Sequence, residues 1–539
     1  MPSNCISAYT HTYTHTQRGD CLVRANSYAK NAGIQTSHQR KFDPVIPRRR
    51  GSVAVPSLGA GILLASSLPP WGWWPLGIAG AGLFYWRLAG LPLRTRVWSG
   101  WLAGLGCYAI GLFWARAFNW YGALVLILVE ALFFALAAGL TPPDRGRALA
   151  FVGACTVAEA IRMTWPYGGL PLGGVFLGQA RAPLVELARL GGPLLITAGV
   201  WAGGVAAATL VSWVSARARR HRRPGLIVAA VMLGGLVGLI VAGDVVADGG
   251  PPIRPLRVAL VQGGGRRGVS EEEVSPTTVY RAQLAATQGV AAANPSPELV
   301  LWPEDVVALD RPLAGSPEAA VLSGLARQLD TTLVVGITEP GPTPATFYNR
   351  IVAWGPRGNV VAVFEKVHRV PFGEYVPDRS FFAHFADLSG VPSDAIPGHG
   401  SGLMRTPAAP LGVLVSFEVF YASRSRSSVR AGAQLLAVPT NTSSYSSSQV
   451  PTQEIAAAIV QAVQTGRDLV QASPTGFSAA VTNRGVVVER SDLGRRQLLT
   501  VTVALRTGMT PYDHWGDLPV LIGAALALLA GWLRQLRYS

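Results

Sequence analysis

The stretch NRIVAWGPRGNVVAVFEK, Asn349 to Lys366, reads as two strands and the turn between them. β-branched and aromatic residues fill NRIVAWG and NVVAVFEK, and Pro356, Arg357 and Gly358 between them supply a fixed φ and a residue free to reverse the chain, so the spacing predicts a hairpin. Runs of the same kind flank it on both sides: RVALVQ at 257–262, ELVLWPE at 298–304, TTLVVGIT at 331–338, LGVLVSFE at 411–418 and QLLAVPTN at 434–441, with three more strands after 466. Ala-rich stretches with helical period fall between them, at 277–293, 316–329, near 422–432 and at 452–466. Alternation of that kind predicts an α/β sheet domain over 257–505, and about 250 residues suffice for one full enzyme core.

Upstream the character changes. Only 14% of the 539 residues are charged, against about 25% in a soluble protein, which excludes an ordinary soluble enzyme. The net charge of +16 lies almost wholly in residues 1–256, which hold 23 basic and 8 acidic residues, against 23 and 22 in the remainder. The basic residues sit in short clusters between apolar runs rather than on a polar surface, so the partner they imply is a membrane and not a nucleic acid. Seven runs are each near the roughly 20 residues a bilayer span needs: 53–69, 73–91, 97–115, 119–140, 147–164, 191–214 and 225–247. An eighth, LPVLIGAALALLAGWL, starts near Leu518 and gives a span over 517–536. Arg94 and Arg96, Arg145 and Arg147, the five arginines between 217 and 223, and Arg534 with Arg537 fall on alternate loops, which places both termini in the cytoplasm and 248–516 outside. Arg116, Arg162, Arg181 and Arg189 run against that trend, and the 164–190 segment is expected to be re-entrant or interfacial. Residues 1–50, with HTYTHTQRGD and Arg48 to Arg50, lack the apolar run of a signal peptide and read as a disordered, basic cytoplasmic tail. The two His of HTYTHT could bind a metal, but with no further ligands beside them a solvated tail is the favoured reading; Cys5, Cys21, Cys107 and Cys155 have no metal-ligand spacing, and no metal site, cofactor or disulfide framework is implied. Glu130 and Glu159 lie in apolar surroundings, where a carboxylate is costly and is often functional or paired; a structural Glu, either neutral or paired with an Arg, is the favoured reading.

Chemistry gathers at three strand ends: Glu304 closes LVLWPE, Lys366 closes NVVAVFEK, and Ser416 closes LGVLVS ahead of Phe417 and Glu418. Lys366 is the most informative of these. The chain has 43 Arg and 3 Lys, and the other two, Lys30 and Lys41, lie in the head, so Lys366 points to a task that needs a compact ammonium on a flexible stem.

These residues carry a resemblance. WPE at Trp302 to Glu304, YN at Tyr348 and Asn349, EKVHRVPFGEYVP from Glu365 to Pro377, SFE at Ser416 to Glu418, GAQLLAVPTN from Gly432 to Asn441, and TGR at Thr465 to Arg467 with PTGFSA following, together resemble the bacterial apolipoprotein N-acyltransferases, membrane members of the nitrilase (carbon-nitrogen hydrolase) superfamily. The resemblance covers about 53–536 and implies an αββα hydrolase domain between the seventh and eighth of eight transmembrane helices. It implies Glu304 as general base, Lys366 as the oxyanion-stabilising lysine, Ser416 at the nucleophile position, Glu374 as a second carboxylate ordering the site, and Glu418 as the carboxylate two residues past the nucleophile. It also implies the substrates: a phospholipid gives its sn-1 acyl chain to the enzyme, which passes it to the N-terminal cysteine amine of a diacylated apolipoprotein. No cofactor is implied.

The family's nucleophile is a cysteine, and here position 416 is Ser, with no cysteine after Cys155. A thiol of pKa about 8.5 is readily activated by a carboxylate, whereas a serine hydroxyl needs a better base. Phe417 stands where the family commonly has Tyr, and Gln461 and Gln464 where it usually has Arg and Glu. Three readings stay open: an N-acyltransferase working through a Ser416 oxyester, a non-catalytic membrane paralogue that binds lipoproteins or assists an active partner, and a different nitrilase-type hydrolase, disfavoured because a small-substrate enzyme has no need of eight spans.

Overall fold

The computed structural model describes residues 53–215, 223–246, 248–265, 274–385, 387–445 and 449–537. The expected tail at 1–50 and most of the arginine cluster at 217–223 lie outside the described residues. Among those residues a helix occupies each of the eight apolar runs: α1 (Ala54–Ser67), α2 (Trp74–Arg87), α3 (Leu93–Gly111), α4 (Trp120–Leu140), α5 (Arg147–Arg162), α6 (Ala188–Ser215), α7 (Arg223–Val245) and, after the sheet domain, α14 (Leu518–Leu536). Among the described residues four stretches are long and apolar enough to cross a membrane: Trp120–Leu140, Pro183–Val214, Leu226–Val245 and Leu518–Leu536. α1 and α2 have 14 residues each, about 21 Å at 1.5 Å per residue, less than the roughly 30 Å of a hydrocarbon core. They pack closely instead. A Cβ on Gly61 of α1 would lie 2.0 Å from the Ala103 carbonyl oxygen of α3, so only glycine permits that crossing, as is usual where helices associate by close packing.

Of segment 164–190, residues 188–190 open α6 and residues 164–187 are loop with two 3₁₀ turns, Val175–Gln179 and Pro183–Leu187, largely buried against the helices. Its hold is Arg162, fully buried, whose guanidinium pairs with Glu159 at 2.8 Å and Glu130 at 3.1 Å and donates to the carbonyls of Leu170 and Leu172. Arg189 is likewise fully buried, paired with Glu186 and donating to the Gly243 carbonyl. Two of the arginines that ran against the loop-charge trend are therefore internal ion-pair partners rather than loop charges. α6 is broken at Gly191 and Gly192, directly ahead of Pro193, which cannot donate into a continuous helix.

The sheet domain has two sheets. The first runs β14-β1-β2-β4-β5-β6, with β3 on β4 and β7 on β5, where β1 is Arg254–Gln262, β2 Leu299–Leu301, β3 Val307–Ala308, β4 Thr332–Pro340, β5 Thr346–Trp354, β6 Val360–Glu365, β7 Asp394–Ala395 and β14 Gln497–Leu505. The second runs β13-β12-β11-β10-β9-β8, from β8 Leu403–Arg405, β9 Pro410–Val413, β10 Leu435–Pro439, β11 Leu469–Ala472, β12 Ala479–Val481 and β13 Val487–Arg490. Strand alternation explains the layering. Val258, Leu260, Val334 and Ile351 face inward onto Val413, Leu435, Ala437 and Val470 of the other sheet. Ala259, Val261, Leu333 and Val335 face outward onto Ala286 of α8 (Pro276–Thr287) and Leu322 and Ala326 of α9 (Pro317–Leu329). On the far side Leu436, Val438 and Leu469 pack on α12 (Gln449–Thr465), in one core with the apolar helices, which is why that helix is buried almost throughout. The order is helix, sheet, sheet, helix. The expected hairpin is β5–β6, its turn at 355–359. Four strands rather than three follow 466, and the helix expected over 277–293 stops at Thr287 and continues as a 3₁₀ turn around Gly289.

Candidate active site

The site is built where strands of the two sheets end. Glu304 lies three residues past β2, on a segment that crosses over β4 at Gly336; a Cβ there would stand 2.4 Å from the Glu304 Cα, so the glycine lets the carboxylate come in. Lys366 directly follows β6, with its backbone N–H still on the ladder to the Asn349 carbonyl at 3.0 Å. Glu374 arrives from the loop after Lys366, whose shape is set by a hydrogen bond from the Glu374 N–H to the Val370 carbonyl at 2.8 Å, answered by the Val370 N–H to Glu374 Oε2 at 2.7 Å.

The three meet. Lys366 Nζ donates to Glu304 Oε1 at 2.9 Å and to Glu374 Oε1 at 2.8 Å. Asn349, midway along β5, donates Nδ2 to the same two oxygens at 2.8 and 2.9 Å. Lys366 is 1% exposed, and Glu304 and Asn349 are each 4% exposed, so two carboxylates share one ammonium in a water-poor setting. Burial by itself would depress the Lys366 ammonium, but Glu304 and Glu374 outweigh it and hold its pKa well above the usual lysine value. Of its three N–H bonds, two are used by the carboxylates among the described residues, leaving one for an incoming oxygen.

Ser416 heads a 3₁₀ turn, Ser416–Phe420, that leaves the second sheet. The strand itself closes at Val413 rather than at Ser416, because Glu418 folds back to take the Val415 N–H at 2.9 Å. Ser416 has φ +49°, a conformation that costs a non-glycine residue on the order of 1 kcal/mol or more and persists only where its surroundings impose it. Glu418 imposes it from one side. Fully buried, it also accepts from the N–H groups of Val367 and His368 at 3.0 Å each and pairs with Arg424 at 3.3 Å, tying the serine turn to the residues after Lys366. Burial pushes the Glu418 carboxyl up, against Arg424 and those N–H donors. Ser416 Oγ itself hydrogen-bonds to none of Glu304, Lys366 or Glu374 among the described residues, so the serine is joined to the cluster through Glu418.

Three further groups were not assigned from sequence. Asn349 was visible only as part of YN; an amide inside a strand gives no signal of what it bridges. His368 stacks on Tyr421 with ring centroids 4.3 Å apart, and burial, with Arg424 adding to it, lowers its pKa to about 4. Glu454 on α12 is 1% exposed, accepts from Thr440 Oγ1 and from Gln471 Nε2 at 3.1 Å, and is raised to about 8, chiefly by burial. The three departures all pack: Phe417 lies against Tyr421 at 5.1 Å, and Gln461 and Gln464 are hydrogen-bonded inside the domain.

Residues 60–206 match the family model described as the apolipoprotein N-acyltransferase N-terminal domain, and residues 257–509 match the one described as carbon-nitrogen hydrolase. The apolipoprotein N-acyltransferase of Mycolicibacterium smegmatis is 30% identical over 511 residues, covering 88% of this chain and 84% of that protein. Those of Azotobacter vinelandii and Geobacter metallireducens are 30% and 28% identical, over 88% and 92% of this chain and 93% and 97% of theirs. The helix–sheet–sheet–helix domain is thus the nitrilase-like fold, joined to apolar helices that fit a membrane protein, and the chain belongs to the apolipoprotein N-acyltransferase family, acyltransferases of the carbon-nitrogen hydrolase superfamily.

Proposed function

We propose that this protein transfers an acyl chain from a membrane phospholipid to the N-terminal cysteine amine of a diacylated apolipoprotein, with Ser416 as nucleophile, Glu304 as general base and Lys366 as the oxyanion donor. One observation carries the reading: a buried ammonium held between two carboxylates with one N–H to spare, tied through Glu418 to a serine in a left-handed turn. Ser416 Oγ attacks the ester carbonyl at sn-1 as its proton passes to Glu304. The tetrahedral oxyanion accepts the third Lys366 N–H, and on collapse the lysophospholipid oxygen leaves with the proton from Glu304. The amine of the apolipoprotein then attacks the acyl-serine ester, giving its proton to Glu304. Collapse forms the amide and returns the proton to Ser416 Oγ. Glu374 and Asn349 keep Lys366 and Glu304 in place throughout.

The same reading places eight spans in the cell membrane, both termini in the cytoplasm and residues 257–505 outside, where both lipid-anchored substrates lie. The alternation of arginine-bearing loops supports it, as do exposed tryptophans, Trp71, Trp73 and Trp165 in connections and Trp120 and Trp515 at helix ends, which this topology puts on the side of the sheet domain and which suit a membrane interface. The test is purified protein with a diacyl phospholipid and a diacylated lipopeptide, read by mass spectrometry. A triacylated peptide that needs both lipids is expected; its absence from folded protein would overturn the reading.

A further inference from the structure

Gln461 and Gln464 are both buried, on a helix that packs on the serine turn, and their amides do more than fill space. Gln461 Nε2 donates to the Val419 carbonyl at 2.6 Å. Its Oε1 accepts from Ser425 Oγ at 2.5 Å and from Gln464 Nε2 at 2.7 Å. Gln464 Nε2 also reaches Ser425 Oγ at 2.8 Å and the Ala422 carbonyl at 3.2 Å. Ser425 belongs to α11 (Ala422–Arg430), the helix that follows the turn. Two donors converge on Gln461 Oε1, so the amide is fixed with its N–H toward Val419; a flipped amide would set carbonyl against carbonyl.

We propose that Gln461 is a positioning residue for Ser416, acting through the Val419 carbonyl, with Gln464 and Ser425 holding its amide in orientation. Val419 is three residues beyond Ser416 in a turn of five, so its carbonyl, held by Gln461, and the Glu418 carboxylate anchor the turn at two points. A serine at φ +49° persists only where its surroundings hold it. The neutral pair therefore does not loosen the site where the family's usual Arg and Glu are missing; it forms a hydrogen-bonded network through Gln461 and Gln464 Nε2 that carries no charge of its own. This inference rests on Ser416 being the nucleophile.

The test compares the parent with Gln461→Glu, Gln461→Leu and Gln464→Leu, each with Ser416 and with Ser416→Cys. Acyl-enzyme formation is followed by intact mass against phospholipid concentration, with thermal melting alongside. Gln461→Leu removes the donor to Val419 with little change of volume and should slow acylation about 10- to 100-fold at saturating phospholipid, with KM within about twofold of the parent. Gln461→Glu, buried and so protonated near neutral pH, keeps an O–H for the Val419 carbonyl and should lose less, its loss growing as pH rises and the carboxyl ionises. Gln464→Leu should also lose less than Gln461→Leu, because the Val419 bond remains. Acylation within about twofold of the parent in folded Gln461→Leu, or a loss confined to KM, would overturn the positioning role while leaving the nucleophile in place. A parent that acquires no acyl chain with either Ser416 or Cys at that position would instead overturn the nucleophile, and the positioning role with it.

Discussion

Replacing Lys366 separates charge from shape. The ammonium is 1% exposed and lies 2.9 and 2.8 Å from two carboxylate oxygens, so Lys366→Ala leaves Glu304 and Glu374 facing each other without a cation. Breaking a buried pair in that way costs about 3–5 kcal/mol of stability; Glu374, whose side chain is 16% exposed, is partly hydrated and favours the lower end. Activity falls by a second route. Loss of an oxyanion donor costs about 3 kcal/mol of transition-state stabilisation, or about 150-fold in rate. Lys366→Arg keeps the charge and most of the stability, yet its planar guanidinium cannot place a donor at the point the ammonium occupies, so its rate should fall nearly as far as that of Lys366→Ala. Both quantities are measured on one preparation, melting temperature by scanning fluorimetry and initial rate by lipopeptide acylation. Lys366→Arg working within about tenfold of the parent would make Lys366 a structural cation and refute the oxyanion role.

Asn349→Leu removes both amide bonds to the carboxylates and should lower the transfer rate about 10- to 100-fold, equivalent to about 1–3 kcal/mol; a steady-state rate within about twofold of the parent would show the bridge to be dispensable. Glu454 has a folded pKa raised from 4.5 to about 8, so its protonated form is the one folding favours. The stability it lends is full below 4.5 and is lost as pH rises through about 8, at about 1.4 kcal/mol per pH unit within that window. Glu454→Gln, neutral throughout, should therefore gain in melting temperature relative to the parent as pH rises across it, and a constant gap would contradict the assignment. Reporter fusions in the 217–223 loop should read cytoplasm and those within 257–505 the outside; a cytoplasmic sheet domain would remove the lipoprotein reaction.

The layers were legible because they rest on period and composition. Strands such as RVALVQ are short β-branched and apolar runs buried on both faces, and the ladder to Lys366 follows from the hairpin at 355–359. Lys366 itself stood out because an arginine-rich chain retained it. Less was legible where a contact joins distant residues of ordinary type. Glu130, Glu159 and Arg162 presented two separate puzzles in sequence, carboxylates in apolar runs and an arginine on the wrong side, and one ion-pair cluster accounts for both. Asn349 bridges two carboxylates from 45 and 25 residues away, and no local pattern announces that. The left-handed Ser416 was also hidden, since positive φ is legible only where glycine marks it; here Glu418 enforces it through the backbone of another loop. Gln461 and Gln464 read in sequence as losses because the missing charges were visible and the amide network that replaces them was not.

Whether Ser416 carries the acyl chain is measured most directly by intact-protein mass spectrometry after incubation with a diacyl phospholipid. The wild type should gain the mass of one acyl chain slowly, as an oxyester mapped to Ser416; Ser416→Ala should gain none, and Ser416→Cys should gain it faster as a hydroxylamine-sensitive thioester. An adduct that persists in Ser416→Ala, or a folded Ser416→Cys that takes up no acyl chain, would contradict the account and leave a membrane relative of the acyltransferases without their chemistry.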